Sequence, residues 1–381
     1  MLLTAGTVLT GSELLRPGWI DVVGGVIVAV GAGAPGRPAD HDLGAATVVP
    51  GFVDTHVHGG GGGSFSIAAQ TAAAVALHRR HGTTTLVASL VTEAPDDLLK
   101  QVSDLVQQVG IGLIAGIHLE GPWLARERCG AHDPALLRDP DPVEIRRVLD
   151  AGGGTVRMVT LAPERAGGVD AIRQVTDAGV VAAVGHTEAT YAQTRAAVDA
   201  GATVATHLFN AMRPIHHREP GPVIALVEDP RVTLEIITDG VHVDGALYRH
   251  ITRSAGGDRV SLVTDAMAAA GMADGAYRIG PLDVDVCDGV AHLAGTDTIA
   301  GSTATMDRLF RFAVTHSELP RDEALQLAVR QSSINPARAL GLPRPDLRTG
   351  TPADLVVLDD DLAVSAVMRH GRWNSESISD A

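Results

Sequence analysis

The sequence predicts an α/β protein: a (β/α)8 TIM barrel with a small β-sandwich domain built from both chain termini. Three observations lead to this prediction. Eight short apolar, β-branched runs alternate with helix-like segments through the middle of the 381-residue chain, and eight such repeats in roughly 250 residues is typical of this barrel. Both chain ends instead carry short strand-like runs between glycine-rich turns. Histidines and carboxylates follow the central runs with a regularity that scattered surface residues would not have.

The eight apolar runs define the predicted barrel, which covers residues 51–345. Helix-like segments such as Asp96–Gln108 and Gly245–Ser254 lie between them. A doubly wound parallel sheet is the alternative, but no Gly-x-Gly-x-x-Gly motif opens a helix after the first run. The predicted barrel strands are Phe52–Val57, Thr85–Ser89, Ile114–Leu119, Arg157–Leu161, Val180–Gly185, Thr203–Thr206, Thr233–Thr238 and Ser261–Thr264.

The predicted small β-domain combines residues 1–50 with residues 346–381. Neither end of the chain carries enough strands to form a convincing domain alone, so we expect the two ends to pair with each other. The predicted strands are Leu2–Leu9, Trp19–Val23, Val26–Val30 and Thr47–Val49 at one end, and Asp354–Leu358 and Ala363–Arg369 at the other.

The amino-acid composition limits which binding partners and which catalytic side chains the protein can use. The formal net charge of −15 argues against nucleic acid and anionic membranes as partners. Lys100 is the only lysine, so lysine-based chemistry would have to use it, and arginine and histidine must supply other positive charge. Cys129 and Cys287 form no disulfide framework. With no signal-peptide pattern and no apolar run of about 18 residues, we expect a soluble, cytoplasmic protein.

His56 and His58 form a His-x-His pair at the end of the first predicted strand. Because side chains alternate along a strand, both imidazoles point to the same side and could bind one cation. The alternative is two ordinary polar residues at a strand end. The other polar residues that end strands favour the cation site.

Glu120, His186 and His207 each follow an apolar run of the predicted barrel. The carboxyl ends of parallel strands open on the same face of a barrel, where barrel enzymes place their active sites. These three side chains make a plausible metal-binding set that leaves one position open for water, as in catalytic rather than structural sites. Asp265 follows the eighth run and could transfer protons to and from that water.

Two features near these motifs have weaker interpretations. Gly59–Gly63 is either a flexible loop or a place where the backbone approaches a metal or substrate closely. Six further histidines are expected on helix or loop surfaces; they are His78, His81, His216, His217, His250 and His316.

Several motifs resemble a known family. Pro50–Gly59 is similar to the opening motif of the amidohydrolase superfamily. Further segments resemble one branch of it, the N-acetylglucosamine-6-phosphate deacetylases, and the resemblance extends over essentially the whole chain. These segments are His118–Pro122, Gly130–His132, Gly185–Thr187, Thr206–Met212, Arg218–Gly221, Asp239–His242 and Thr264–Met267.

The resemblance implies a role for each matching residue and implies deacetylation of an amino-sugar phosphate. Glu120, His186 and His207 would hold the main metal, and Asp265 would be the catalytic acid and base. A homodimer is implied, with Arg218 reaching into the neighbouring subunit's site. The substrate contacts would be Ala131, His132, Asn210, Ala211, Arg218, His242, Ile299, Ala300 and Gly301.

The number and identity of the metals stay open at this point. Some members of the branch lack the His-x-His pair and hold one metal. Because this chain keeps His56 and His58, a second metal bridged by Glu120 is plausible, giving one or two per subunit. The ion would be Zn²⁺, with Fe²⁺ or another divalent metal as alternatives.

Two other functions are open. The first is an amidohydrolase acting on a cyclic amide or a different N-acyl substrate, which would need neither Arg218 nor His242. The second is a non-catalytic metal-binding barrel, which would be expected to have lost ligands or Asp265; this sequence keeps them.

Overall fold

A computed structural model describes residues 1–374 and contains the predicted barrel. Eight strands lie parallel, each paired with the next along the chain. The ring closes just beyond the last strand, where the Asp265 amide donates to the His56 carbonyl at 2.8 Å. The TIM-barrel prediction is confirmed. The strands are β1 Phe52–Val57, β2 Thr83–Leu90, β3 Gly116–Glu120, β4 Val156–Leu161, β5 Val181–Val184, β6 Val204–Ala205, β7 Thr233–Ile236 and β8 Val260–Leu262.

Helices connect and surround the strands. Most have one apolar face toward the barrel, and several begin at a capping side chain, such as Asp141, Thr190 and Asp244, which satisfies a free backbone amide. A π-helical segment, Arg330–Ile334, joins the last two. The helices are α1 Thr71–Arg80, α2 Pro95–Gly110, α3 Pro142–Gly152, α4 Gly168–Asp177, α5 Tyr191–Asp199, α6 Gly221–Glu228, α7 Gly245–Ala255, α8 Met306–His316, α9 Arg321–Val329 and α10 Asn335–Ala339. No described helix is long and apolar enough to span a membrane.

The two ends of the chain form two facing sheets. Strand Thr47–Pro50 pairs antiparallel with Leu355–Leu358, so N-terminal and C-terminal strands share one sheet. The sheets enclose a common core that includes Leu3, Ile20 and Met368. The predicted β-sandwich is confirmed. Its strands are Leu2–Ala5, Thr7–Leu9, Leu14–Leu15, Gly18–Val23, Val26–Ala32, His41–Asp42, Thr47–Pro50, Leu355–Leu358, Val364–Arg369 and Arg372–Trp373.

The proposed domain boundaries, 1–50 with 346–381 and 51–345, stay a prediction. Residues 375–381 of the second segment lie outside the described residues.

A three-stranded antiparallel sheet follows the barrel's last strand and was not predicted. Its strands are Gly275–Ile279, Leu282–Cys287 and Val290–Leu293. Val284 and Val286 alternate with exposed residues and pack into a small core of their own beside the barrel. This sheet forms one wall above the carboxyl ends of the barrel strands.

The barrel interior changes character from one end to the other. At the amino-terminal end, inward-facing residues such as Val53, Val87 and Met158 pack with Ala337 of α10 and with Leu340, which follows that helix. At the carboxyl end, the inward-facing and strand-end residues are histidines, carboxylates and threonines, all buried. The apolar layer closes one end of the barrel, so the polar cluster can be reached only from the other end.

Candidate active site and metal centre

The predicted site residues meet at the carboxyl end of the barrel. His56 lies near the end of β1 and His58 just beyond it, and Glu120 ends β3. His186, His207 and Asp265 follow β5, β6 and β8, and all three have positive φ angles of 48°, 27° and 48°. Left-handed backbone is uncommon for residues other than glycine, although His and Asp adopt it more readily than most, and such conformations concentrate at functional sites.

Glu120, His186 and His207 form the first group of donor atoms. Glu120 Oε1 lies 3.1 Å from His186 Nε2 and 3.0 Å from His207 Nε2, and the two imidazole nitrogens are 3.0 Å apart. Donors bound about 2 Å from one ion are separated by roughly 3 to 3.5 Å. The spacing and the carboxylate–imidazole donor set therefore fit a divalent metal.

His56, His58 and Asp265 form a second group beside Glu120, whose Oε1 lies 3.5 Å from His56 Nε2. His58 Nε2 lies 3.1 Å from both Glu120 Oε2 and Asp265 Oδ1. His56 Nε2 lies 3.2 Å from His58 Nε2 and 3.4 Å from Asp265 Oδ1. With Glu120 these residues are near enough together to hold a cation. Because Glu120 Oε1 faces His186 and His207 while Oε2 faces His58, this carboxylate could bridge two ions.

The charges in the cluster favour ionised carboxylates. Burial opposes the charged form, but the surrounding imidazoles, His56 first, hold the pKa of Glu120 well below its ordinary value. Burial also opposes ionisation of Asp265, while His56 and His58 hold its pKa low. Asp265 is therefore ionised at neutral pH.

His132 is a hydrogen-bond donor toward the cavity. The Thr92 backbone amide donates to His132 Nδ1 at 3.2 Å, so that nitrogen is an acceptor. Burial lowers the pKa of His132 to about 4, which keeps the ring neutral at pH 7. The proton of the neutral ring must then lie on Nε2, which is 3.3 Å from Glu120 Oε2. Although His132 lies within reach of a metal held by Glu120 and His186, this tautomer favours a donor role.

A cavity of about 380 Å³ opens over the cluster. His58, Glu120, His186, His207 and Asp265 lie at its base, whereas His56 is fully buried and does not line it. The structure also brings most of the predicted substrate residues to its walls: Ala131, His132, Asn210, Ala211, His242, Ile299 and Gly301.

Two predicted substrate residues do not line this cavity. The side chain of Ala300 is buried in the small core beside the barrel. Arg218 is exposed on the loop before α6, where its guanidinium contacts the His217 ring at 2.8 Å. It lies in a neighbouring surface depression lined also by Arg128, Glu188 and Arg213. Within one chain, Arg218 is therefore beside the cavity rather than in it.

His242 is held in place by Asp239 on the same loop. Asp239 Oδ2 accepts from His242 Nδ1 at 2.8 Å, and Asp239 Oδ1 accepts from the backbone amides of Val241 and His242. Burial lowers the pKa of His242, but the Asp239 carboxylate outweighs it and raises the pKa above the ordinary value. This arrangement gives the cavity wall a histidine that favours its charged form.

Arg128 lines the cavity and was missed by the sequence analysis. Among the described residues that line this cavity, Arg128 is the only arginine, and there is no lysine. Its backbone carbonyl accepts from His186 Nδ1 at 2.7 Å, and its guanidinium pairs with Glu188. Its position two residues before the Gly130–His132 motif was the available signal.

Other buried polar residues behind the cluster were also missed. Glu235 reaches Thr55 and His56, and His118 is bonded between Ser89 and Thr160 at 2.9 and 2.8 Å. Each of these contacts joins residues from different strands, so no local pattern indicates them.

One histidine prediction was wrong. His78 is fully buried rather than on a helix surface. Its Nε2 contacts the Gly59 carbonyl at 2.9 Å, because this face of α1 packs against the glycine-rich loop that follows His58. A side chain on Gly60 would clash with the His78 ring, which explains a glycine there.

A larger cavity of about 1060 Å³ lies at the sandwich side of the molecule. Arg79, Arg369 and Trp373 line it, but none of the histidines and carboxylates of the cluster does. The chemistry therefore selects the smaller cavity as the active-site candidate.

Comparison with known proteins agrees with this geometry. The model of the Amidohydrolase family matches residues 47–374. The chain belongs to the amidohydrolase family. The resemblance inferred from the motifs is thereby confirmed.

Individual relatives of this amidohydrolase are deacetylases of amino-sugar phosphates. A mutant N-acetyl-D-glucosamine-6-phosphate deacetylase from Mycobacterium smegmatis, solved in complex with N-acetyl-D-glucosamine-6-phosphate, is 71% identical, with a TM-score of 0.97 over 98% of each chain. The Bos taurus N-acetylglucosamine-6-phosphate deacetylase is 38% identical, covering 89% of this chain and 87% of its own. An N-acetylgalactosamine-6-phosphate deacetylase from Escherichia coli O157:H7 is 36% identical, covering 95% and 97%.

Proposed function

We propose that this amidohydrolase removes the acetyl group of N-acetyl-D-glucosamine 6-phosphate, giving D-glucosamine 6-phosphate and acetate. The observation that carries the proposal is the buried cluster of Glu120, His186, His207 and Asp265 at the base of a sugar-sized cavity. The Mycobacterium smegmatis relative, which binds this sugar phosphate, supports the choice of substrate because it is 71% identical to this chain.

Glu120, His186 and His207 would hold the main metal, and His56 and His58 would complete a second site through Glu120 and Asp265. We propose Zn²⁺, with Fe²⁺ as the other candidate, because both accept imidazole and carboxylate ligands. When bound, the metal supplies Lewis acidity, which polarises the amide carbonyl and makes water a better nucleophile at neutral pH.

Asp265 would carry the proton through the reaction. Its ionised carboxylate accepts a proton from the attacking water as the new C–O bond forms. The same proton then passes from Asp265 to the amide nitrogen, so that the C–N bond breaks and the amine leaves. His132 would donate its Nε2 hydrogen to the carbonyl oxygen, where negative charge develops.

Arg128 and His242 would bind the phosphate within one subunit. Charge-assisted bonds from guanidinium and imidazolium groups are the strong contacts that a phosphate needs. We propose that Arg218 adds a further contact across a homodimer interface. Its exposure beside the cavity mouth is compatible with reaching a neighbouring subunit's site.

We propose that the protein acts in the cytoplasm. Cys129 and Cys287 are both free thiols in the structure, which is compatible with a reducing compartment. The proposed partners are small amino-sugar phosphates, and the net charge of −15 disfavours nucleic acid and anionic membranes.

A substrate panel tests this proposal. Acetate and free amine are measured for the metal-loaded protein with N-acetylglucosamine 6-phosphate, its unphosphorylated form, N-acetylgalactosamine 6-phosphate and a neutral cyclic amide. We expect the highest kcat/KM on N-acetylglucosamine 6-phosphate. Preference for the galactose epimer or the cyclic amide would replace the proposed substrate, and no turnover on any of them would favour the non-catalytic barrel.

A further inference from the structure

Glu235 is a buried carboxyl group that the proposed chemistry does not use. It lies within β7 between Leu234 and Ile236, and its side chain is only 2% exposed. Its side-chain partners are the Thr55 hydroxyl, which donates to Oε1 at 3.1 Å, and His56 Nδ1, 3.4 Å from Oε2. Burying a carboxyl group raises the free energy of the folded state unless other groups compensate for the lost hydration. The contact of Glu235 with a histidine of the cluster therefore indicates a role in the site.

The contact with Glu235 fixes which nitrogen of His56 faces the other donor atoms of the second group. An imidazole that binds a metal is neutral, and a neutral His56 that donates its Nδ1 hydrogen to Glu235 has its lone pair on Nε2. That nitrogen lies 3.2 Å from His58 Nε2 and 3.4 Å from Asp265 Oδ1. When a cation replaces the proton on Nε2, Glu235 would therefore direct the His56 lone pair into the second group of donor atoms.

The other histidines of the cluster are held differently. His58 Nδ1 and His207 Nδ1 are buried and have no hydrogen-bond partner in the described chain, while His186 Nδ1 contacts the Arg128 carbonyl. Glu235 thus supports the second group alone, and the Arg128 carbonyl supports the first. Loss of Glu235 should affect the two groups unequally.

We propose that Glu235 is a positioning residue that fixes the tautomer and orientation of His56 and so lets the chain hold a second divalent cation. The inference rests on the proposed function, since it deepens the account of the same site. A carboxylate that orients a metal-binding histidine typically contributes 10- to 100-fold to metal affinity. Thr55, which donates to the other oxygen of Glu235, would support the same orientation.

The test is the number of cations bound per chain and their affinities. Metal-stripped wild-type protein and variants are dialysed against buffered free Zn²⁺, and bound zinc is measured by mass spectrometry. We expect two zinc ions on the wild type at saturation. Glu235→Met, which keeps the side-chain length but removes the acceptor, should weaken the second ion by about 10- to 100-fold and leave the first unchanged. Glu235→Gln keeps a neutral hydrogen-bond acceptor, so its affinity for the second zinc ion should lie between those of the wild type and Glu235→Met.

Two further variants make the result decisive. Glu323→Met, at an exposed position of α9, is the matched control and should bind zinc as the wild type does. If Glu235→Met does not fold, Thr55→Val tests the same contact more gently and should weaken the second ion selectively.

Three results would overturn the inference: two ions of unchanged affinity in the variants, loss of both ions together, or a single ion on the wild type. Acetate release by the wild type is measured on the same samples. The absence of acetate would count against the proposed function whatever the zinc count, so the two failures are distinguishable.

Discussion

Replacing Asp265 with asparagine separates proton transfer from binding. Asp265 is only 8% exposed, and among the described residues Glu120 is the other cavity-lining carboxylate that contacts its histidine cluster. A general acid–base group is worth about 10²- to 10⁴-fold in rate, or about 2.7 to 5.5 kcal/mol of transition-state stabilisation. Because Glu120, the other carboxylate of the cluster, is assigned to metal binding, we expect Asp265→Asn to lower kcat by about 10³-fold or more.

The assay is acetate release at saturating substrate, with bound metal and KM measured on the same preparation. The asparagine oxygen can take the place of Oδ1 near His58 Nε2, so the ion on Glu120, His186 and His207 should stay bound. Asp96→Asn, at an almost fully exposed position, is the control and should keep wild-type kcat. A kcat near that of the wild type in metal-loaded Asp265→Asn would remove Asp265 from the mechanism.

Three further predictions concern metal, phosphate and acid stability. His207→Ala should lose the tightly bound metal and activity together, whereas His58→Ala should lose at most one ion and keep some activity, as metal-to-protein ratios would reveal. Arg218→Ala should lower kcat/KM strongly for the phosphorylated sugar only, and mixing it with inactive Asp265→Asn subunits should partly restore activity; no recovery despite demonstrated subunit exchange would exclude a contact across the interface. Burial lowers the pKa of His78 to about 4, so its contribution of about 3 kcal/mol is fully present above pH 6.5 and is lost as the pH falls toward 4. His78→Gln should therefore flatten the pH dependence of the unfolding free energy of the metal-stripped protein, and an unchanged slope would contradict this.

The parts of the fold that could be predicted are those with a local sequence pattern. Apolar β-branched runs mark the barrel strands, and a histidine or carboxylate directly after such a run marks the barrel mouth. Glu120, His186 and His207 were found in this way because parallel strands bring their carboxyl ends to one face. The chemical roles of these residues stay predictions that the variants above test.

What the sequence did not reveal depends on contacts between distant segments. In the sequence, Glu235 is a single polar residue in an apolar strand. Its partners, Thr55 and His56, lie far away in the sequence and are brought next to it only by the fold. His78 looks like a surface residue of an amphipathic helix, but the glycine-rich loop covers it.

The central claim is that the buried cluster catalyses metal-dependent deacetylation of a phosphorylated amino sugar. Its most direct test is to titrate metal-stripped protein with Zn²⁺ while measuring acetate released from N-acetylglucosamine 6-phosphate. We predict negligible release without metal, recovery that rises with the ion bound by Glu120, His186 and His207, and acetate and amine in equal amounts. Full activity in protein shown to contain no metal, or full metal occupancy with no acetate, would contradict it.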